Sequence, residues 1–120
     1  MRYLLLIHTP ESHYEKLSEA EMGQLMAGYN QAHDEMEAAG VYRGGERLQP
    51  IATATTVRVK NGDITTTDGP FTETKEQFGG YYMVDVDNLD EAIKWAAKIP
   101  GASYGCVEVR PIWELEDAAG

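Results

Sequence analysis

His8 is the residue that the sequence places best for moving a proton. It follows an apolar run, residues 3–7, that is typical of a buried strand, and the ends of such strands often open onto clefts. Because imidazole exchanges protons near neutral pH, we interpret His8 as a candidate general base. Such a base needs a carboxylate to orient it, and Asp68 and Glu108 are the alternatives.

His33 is the second candidate for proton transfer. It falls in the apolar stripe of a predicted helix, seven residues after Met26 and three before Met36, so it is expected to point towards the sheet. Most histidines in such stripes are hydrogen-bonded core residues. A buried imidazole beside a carboxylate is also easily retuned into a base, and both interpretations stay open. His13 lies in a polar segment and is expected to be solvated.

Residues 68–80, DGPFTETKEQFGG, form the densest polar cluster outside the predicted helices. The Gly-Pro step fixes a backbone bend, and bends of this kind can hold side chains in place for a site. Asp68 would then orient a histidine or act as the base. Ligand charge and an apolar wall would come from the residues after it: Phe71, Glu73, Lys75, Glu76 and Phe78. The alternative is a structural turn with solvated charges.

The last predicted strand carries Cys106, Glu108 and Arg110 on one face. Arg110 and Glu108 form either an ion pair that bridges a dimer or, through Arg110, a clamp for a substrate carboxylate. Cys106 has no base partner in the sequence and is interpreted as a packing residue. The histidines lack the spacing of a metal-binding motif, so neither a metal site nor a cofactor is predicted.

The charge balance excludes several classes of partner. With 20 Asp and Glu against 10 Lys and Arg, the 120-residue chain has a formal charge of −10. This charge repels phosphate backbones and anionic lipids, so neither nucleic acid nor a membrane is an expected partner. The apolar run near the start is far shorter than the ~20 residues of a membrane helix, and the single cysteine forms no internal disulfide. A cytoplasmic location is expected.

Residues 41–60 are the one basic stretch. They hold Arg43, Arg47, Arg58 and Lys60 against only Glu46, a local charge of +3. These bases either bind another protein or pair with acids of the long helix or of a second subunit.

Periodicity and turn signals predict the elements that must position these residues. Ser18 and Glu21 form a capping box that starts a long helix, Asn88 caps a second helix, and Asn61-Gly62 predicts a tight hairpin turn. The segment 68–80 is too irregular for a strand, and the acidic end from Glu114 is expected to fray. The predicted elements are strands 3–8, 42–48, 53–59, 63–67, 81–86 and 105–112, with helix one at 18–39 and helix two after residue 88.

This order predicts a single α+β domain over residues 1–120, a ferredoxin-like βαβ-βαβ fold with an inserted β-hairpin. Two helices cover only one face of the sheet. Alternation places a half-polar set on the other face: His8, Tyr81, Met83, Asp85, Cys106, Glu108 and Arg110. A second copy is the usual cover for such a face, so a homodimer is expected.

The run DGPFTETKEQFGGYY at residues 68–82 resembles the YCII-related family, in particular its branch with the Asp-Gly-Pro-Phe motif. Residues 2–7 (RYLLLI), 89–92 (LDEA) and 107–112 (VEVRPI) extend the resemblance over nearly the whole chain. It implies a dimeric α/β barrel. The motif positions that carry over are Asp68, Gly69, Pro70, Phe71, Glu73, Lys75 and Glu76. A His-Asp pair is the catalytic element proposed for YCII-like proteins, and here either His8 or His33 could partner Asp68.

Two functions follow as hypotheses. The broader family is similar to small enzymes of aromatic-compound breakdown, including a dehydrochlorinase. The leading hypothesis is therefore an enzyme-like protein that performs proton transfer or elimination on a small aromatic or anionic substrate. The alternative is a non-catalytic ligand-binding or regulatory module associated with an extracytoplasmic-function sigma factor, because genes of this branch often neighbour genes for such factors.

Overall fold

The computed structural model describes residues 1–115. Its helices are α1 (Glu11–Glu15), α2 (Glu19–Ala38) and α3 (Leu89–Ala97), and its strands are β1 (Arg2–Thr9), β2 (Tyr42–Arg47), β3 (Thr55–Lys60), β4 (Asp63–Asp68), β5 (Gln77–Asp85) and β6 (Cys106–Pro111). Short 3₁₀ turns lie at Ile51–Thr53 and Pro100–Ser103. Within the described chain, no helix is both long enough and apolar enough to span a membrane.

The main sheet has four strands in the order β2-β5-β1-β6, and every neighbouring pair is antiparallel. This is the strand order of a ferredoxin-like fold, with the β3–β4 hairpin inserted as a separate two-stranded sheet. The predicted fold is therefore confirmed.

The burial pattern along β1 distinguishes the two faces of the main sheet. Its burial alternates strictly, with Tyr3, Leu5, Ile7 and Thr9 buried towards the helices. Side chains of α2 and α3, such as Met36 and Ala92, complete this core. The intervening residues of β1 point to a face that none of the helices described in residues 1–115 covers. The main sheet therefore has one packed face and one open face.

The two helix starts follow the predicted capping. The Ser18 hydroxyl accepts from the Glu21 backbone N–H while the Glu21 carboxylate accepts from the Ser18 N–H. The Asn88 side chain accepts from the Glu91 N–H at 3.0 Å. The helix α1 was not predicted, because its five residues are too short to show a helical period.

Strand β5 begins at Gln77, so the prediction that it starts at residue 81 is wrong. Glycine pairs disfavour strands, which hid this extension in the sequence. Gly80 is needed there because strand β2 approaches closely: a Cβ on Gly80 would lie 2.7 Å from the Glu46 carbonyl oxygen. A bulge between Ile7 and His8 shifts the register at the same place.

The hairpin of β3 and β4 turns at Asn61 and Gly62, both with positive φ, as predicted. Its strands pack chiefly against each other. Their apolar side chains are exposed: Val57 by 58%, Val59 by 68% and Ile64 by 73%. The hairpin therefore stands away from the core.

Glu114 is held more firmly than expected. Arg2 Nε and Nη2 donate to the two carboxylate oxygens of Glu114 at 2.6 and 2.7 Å. This pairing lowers the pKa of Glu114, with the Arg2 hydrogen bond as the main cause. The expected fraying is not seen at Glu114, and residues 116–120 lie outside the described part of the chain.

Candidate functional site

The open face of the main sheet carries the predicted half-polar set. The strand registers pair Leu4 with Met83 and Arg110, and Leu6 with Tyr81 and Glu108. Because cross-strand partners share a face, these residues lie together opposite the helices. Pairing of Arg2 with Asp85 and of His8 with Cys106 completes the set, so its placement on one face is confirmed.

A shallow groove crosses one end of this face. We call it the His8 groove, and its lining residues are His8, Thr74, Lys75, Glu76, Cys106 and Glu108. The His8 Nε2 lies 3.2 Å from Glu108 Oε1, and the His8 ring lies 5.5 Å from the Phe78 ring. Strands β1 and β6 fix the His–Glu pair, because Cys106 pairs with His8 and carries Glu108 two residues further on. The carboxylate that contacts His8 is thus Glu108.

The Cys106 thiol is unsuited to nucleophilic attack in this groove. Its Sγ lies 3.6 Å from Glu76 Oε1. Burial and the neighbouring carboxylates of Glu76 and Glu108 raise the pKa of Cys106. The thiol is therefore held in its protonated form at neutral pH.

Arg110 borders the His8 groove without entering it. Its Nε lies 3.8 Å from Glu108 Oε2, and its side chain is 70% exposed. At this distance and exposure the pair contributes little to stability, so the guanidinium remains able to attract an anion.

The remaining residues of the Asp-Gly-Pro-Phe segment lie away from the His8 groove. Asp68 ends β4 as an exposed residue opposite Thr55, and Phe71 is 77% exposed. Glu73 is also exposed. The turn itself is held by Gly69, whose N–H donates to the Ala54 carbonyl at 2.7 Å and whose φ of +95° favours glycine. Of this predicted cluster, the structure brings Lys75, Glu76 and Phe78 to His8.

His33 lies on the helix side of the sheet. Its Nδ1 is 3.4 Å from Asp34 and its Nε2 is 3.3 Å from Glu37, both on the same helix. Its ring meets the Tyr42 ring edge-on at 4.5 Å. The two histidines therefore lie on opposite faces of the sheet, and each contacts carboxylates other than Asp68.

A second concave site lies between α2 and the sheet, and the sequence did not indicate it. This cavity of about 240 Å³, which we call the tyrosine cavity, is bordered among others by Thr9, Tyr14, Met26, Tyr29, Arg47 and Gly79. The glycine pairs at residues 44–45 and 79–80 were the available signal, because glycines on adjacent strands leave space beside a sheet. The register that sets Gly45 opposite Tyr82 and Gly80 opposite Arg47 was not readable from the sequence.

The basic stretch does not form one continuous surface. Arg43 and Arg47 lie on β2, whereas Arg58 and Lys60 lie on the separate β3–β4 hairpin. Arg43 Nε is 3.9 Å from Asp85 Oδ2, so at least one of these bases pairs with an acid of its own chain.

The described part of the chain contains no cluster of metal-binding side chains. Among residues 1–115, no group of three or more His, Cys, Asp or Glu side chains is arranged to hold a metal ion.

Comparison with known proteins identifies the family of this chain. The family model of the YCII-related domain matches residues 1–116. An uncharacterized protein of Rhizobium meliloti (strain 1021) is 36% identical over 114 residues, which cover 93% of this chain and 92% of that protein. A domain match over nearly the whole chain, with a relative that is matched over nearly its whole length, shows that this chain belongs to the YCII-related family.

Proposed function

We propose that this protein is an enzyme-like, small-molecule-binding protein in which His8 and Glu108 move a proton during a transfer or elimination reaction. The observation that carries the proposal is the 3.2 Å contact between His8 Nε2 and Glu108 Oε1 at the mouth of a groove. A carboxylate that accepts from Nε2 fixes the imidazole tautomer and leaves Nδ1 as the nitrogen that takes the proton.

The surroundings of the pair favour a small aromatic or anionic substrate. Phe78 offers a ring beside the imidazole, at 5.5 Å between centroids, against which an apolar group can pack. Lys75 lines the groove, and Arg110 borders it with an exposed guanidinium. These cations can attract negative charge that develops on a leaving group.

The test of this proposal uses a generic probe of base-promoted elimination, 5-nitrobenzisoxazole. A base removes the hydrogen at C3, the N–O bond breaks, and the electron pair leaves on oxygen as a coloured cyanophenolate. Since a positioned general base contributes about 10²–10⁴ in rate, we expect His8→Gln to lower the protein-dependent rate by roughly 100-fold. Glu108→Gln should cause a smaller loss, because it removes only the orienting carboxylate.

His13→Gln serves as the matched control, because His13 stacks on Tyr104 at 4.0 Å on the helix side of the sheet. It should retain the full rate. An equal rate in wild type and His8→Gln would contradict the proposal. So would a loss confined to His33→Gln, which would move the base to the other face of the sheet.

We also propose that a second copy of the chain covers the open face. Leu4, Leu6, Tyr81 and Met83 are only partly buried there, and both long helices lie on the opposite side. The same face carries bases and acids, including Arg110 and Asp85. Two copies related by a twofold axis can therefore bring unlike charges together, and the partner would enclose the His8 groove.

Leu6→Lys is expected to shift the protein from dimer to monomer in sedimentation equilibrium at micromolar concentration. The substitution puts a charge in the middle of the proposed interface, while the aliphatic stem of lysine keeps the subunit folded. Ile93→Lys is the control, since Ile93 is 48% exposed on α3 and lies outside the open face. A wild-type monomer, or a Leu6→Lys dimer of unchanged affinity, would refute this arrangement.

A further inference from the structure

The tyrosine cavity is a second candidate ligand site, and it shares no lining residue with the His8 groove. It lies on the helix side, between Leu25 and Met26 of α2 and the backbone of Gly79 and Gly80 in β5. Its volume of about 240 Å³ falls a little below the ~300–1,000 Å³ of pockets for drug-sized ligands, so it suits a smaller molecule. Ile7 and Met26 contribute apolar surface for the body of such a ligand.

Arg47 supplies the positive charge at this cavity, which Glu46 also borders. Its guanidinium carbon lies 6.0 Å from the centre of the Tyr14 ring, and Nη1 lies 3.8 Å from the Met26 sulfur. Within residues 1–115, no carboxylate lies within ion-pairing distance of Arg47, although the chain is strongly acidic. Because no carboxylate of the described chain pairs with it, the Arg47 guanidinium can donate two parallel hydrogen bonds to the carboxylate of a ligand.

A chain of hydroxyl groups supplies the neutral donor. The Tyr14 hydroxyl lies 2.9 Å from Thr9 Oγ1 and 3.1 Å from the Tyr104 hydroxyl, which lies 3.2 Å from the Tyr29 hydroxyl. Four hydroxyls carry four protons but share only these three hydrogen bonds, so one proton is left for another acceptor. Tyr14 and Tyr29 both border the cavity.

The hydroxyls of Tyr29 and Tyr104 stay protonated at neutral pH. Burial raises the pKa of Tyr29 to about 12 and also raises the pKa of Tyr104. The linked hydroxyl groups therefore act on a ligand as a hydrogen-bond donor at neutral pH.

We infer that the tyrosine cavity binds a small apolar monocarboxylate, with its carboxylate on Arg47, its second polar contact on the tyrosine hydroxyls and its apolar body against Met26 and Ile7. A single arginine beside apolar walls matches one carboxylate better than a phosphate, which would need more donors around it. This site is independent of the proposed chemistry at His8.

Isothermal titration of benzoate against the full chain tests the inference, with benzamide as the uncharged analogue and inorganic phosphate as the competing anion. Benzoate is expected to bind at least tenfold more tightly than benzamide, and phosphate should not compete. Arg47→Gln should weaken benzoate binding at least tenfold and abolish its preference over benzamide. Arg43→Gln is the matched control on the same strand, because the Arg43 guanidinium already donates to the Gly40 and Tyr42 carbonyls, and it should stay within twofold of wild type.

A second variant fills the cavity without removing charge. Gly79 borders the cavity, and a Cβ placed on it would come no closer than 4.0 Å to Thr9 Oγ1. Gly79→Val is therefore expected to fold and to lose benzoate binding. His8→Gln should leave the benzoate affinity within twofold of wild type, which separates this site from the His8 groove.

Three results would overturn the inference. They are benzoate binding that survives both Arg47→Gln and Gly79→Val, benzoate binding that disappears in His8→Gln, and a wild-type protein that binds benzamide or phosphate as well as benzoate.

Discussion

Gly105→Ala is expected to lower the free energy of unfolding by ~3 kcal/mol or more, at the upper end of the overpacking range. A Cβ on Gly105 would lie 2.2 Å from the His8 carbonyl oxygen and 2.9 Å from the Thr9 Cα. Both are backbone atoms, so no side-chain rotation relieves the clash, and β1 must separate from the start of β6. Urea unfolding followed by circular dichroism measures the loss.

The matched control is Gly23→Ala in α2. A Cβ on Gly23 meets no atom within 4 Å, and alanine is the better helix former by about 0.8–1 kcal/mol, so this variant should be slightly more stable than wild type. Equal stabilities for the two variants would show that the approach of β1 to Gly105 is looser than described. Because His8 lies at the clash, Gly105→Ala should also reduce the rate with the elimination probe more than Gly23→Ala does.

Leu5→Ala is expected to cost about 2–5 kcal/mol of unfolding free energy, because it leaves a cavity in the packed face. Leu5 is fully buried and lies in the middle of the central strand, paired with Tyr82 on one side and Val109 on the other. Its neighbours are held by two ladders of hydrogen bonds, so they cannot collapse into the space. The midpoint of chemical unfolding reports the loss directly.

Ile93→Ala is the control for Leu5→Ala, since Ile93 is 48% exposed on α3. Its change should stay within about 0.5 kcal/mol, as for other surface substitutions. A comparable loss in both variants would contradict the assignment of Leu5 to the core and Ile93 to the surface.

Much of the fold could be predicted from local signals. Ser18 with Glu21, and Asn88 with Glu91, mark helix starts by chemistry that acts over one turn, and both caps form. The apolar run at residues 3–7 predicts a central strand covered on both faces. Strand β1 is central, but within one subunit only one of its faces is packed. The open face followed from the same reasoning, since alternation along a strand fixes which side chains share a face.

The site was harder to predict, because it depends on register and on tertiary distance. Alternation placed His8 on a face but could not decide between Asp68 and Glu108, which are separated from it by 60 and 100 residues in the sequence. The pairing of Cys106 with His8 decides that contact in favour of Glu108. The tyrosine cavity was missed because Tyr14, Tyr29 and Tyr104 come from three separate segments and meet only through their hydroxyl groups.

The β3–β4 hairpin is expected to open more readily than the main sheet, because its strands pack chiefly against each other. A two-stranded ribbon without a packed face is marginally stable in water, whereas the main sheet opens only when its helices leave it. In the isolated subunit, the hairpin can therefore open and reclose many times during the lifetime of one folded molecule. Its length and sequence can also vary over generations at little cost to the core, since its valines and isoleucine are mostly exposed.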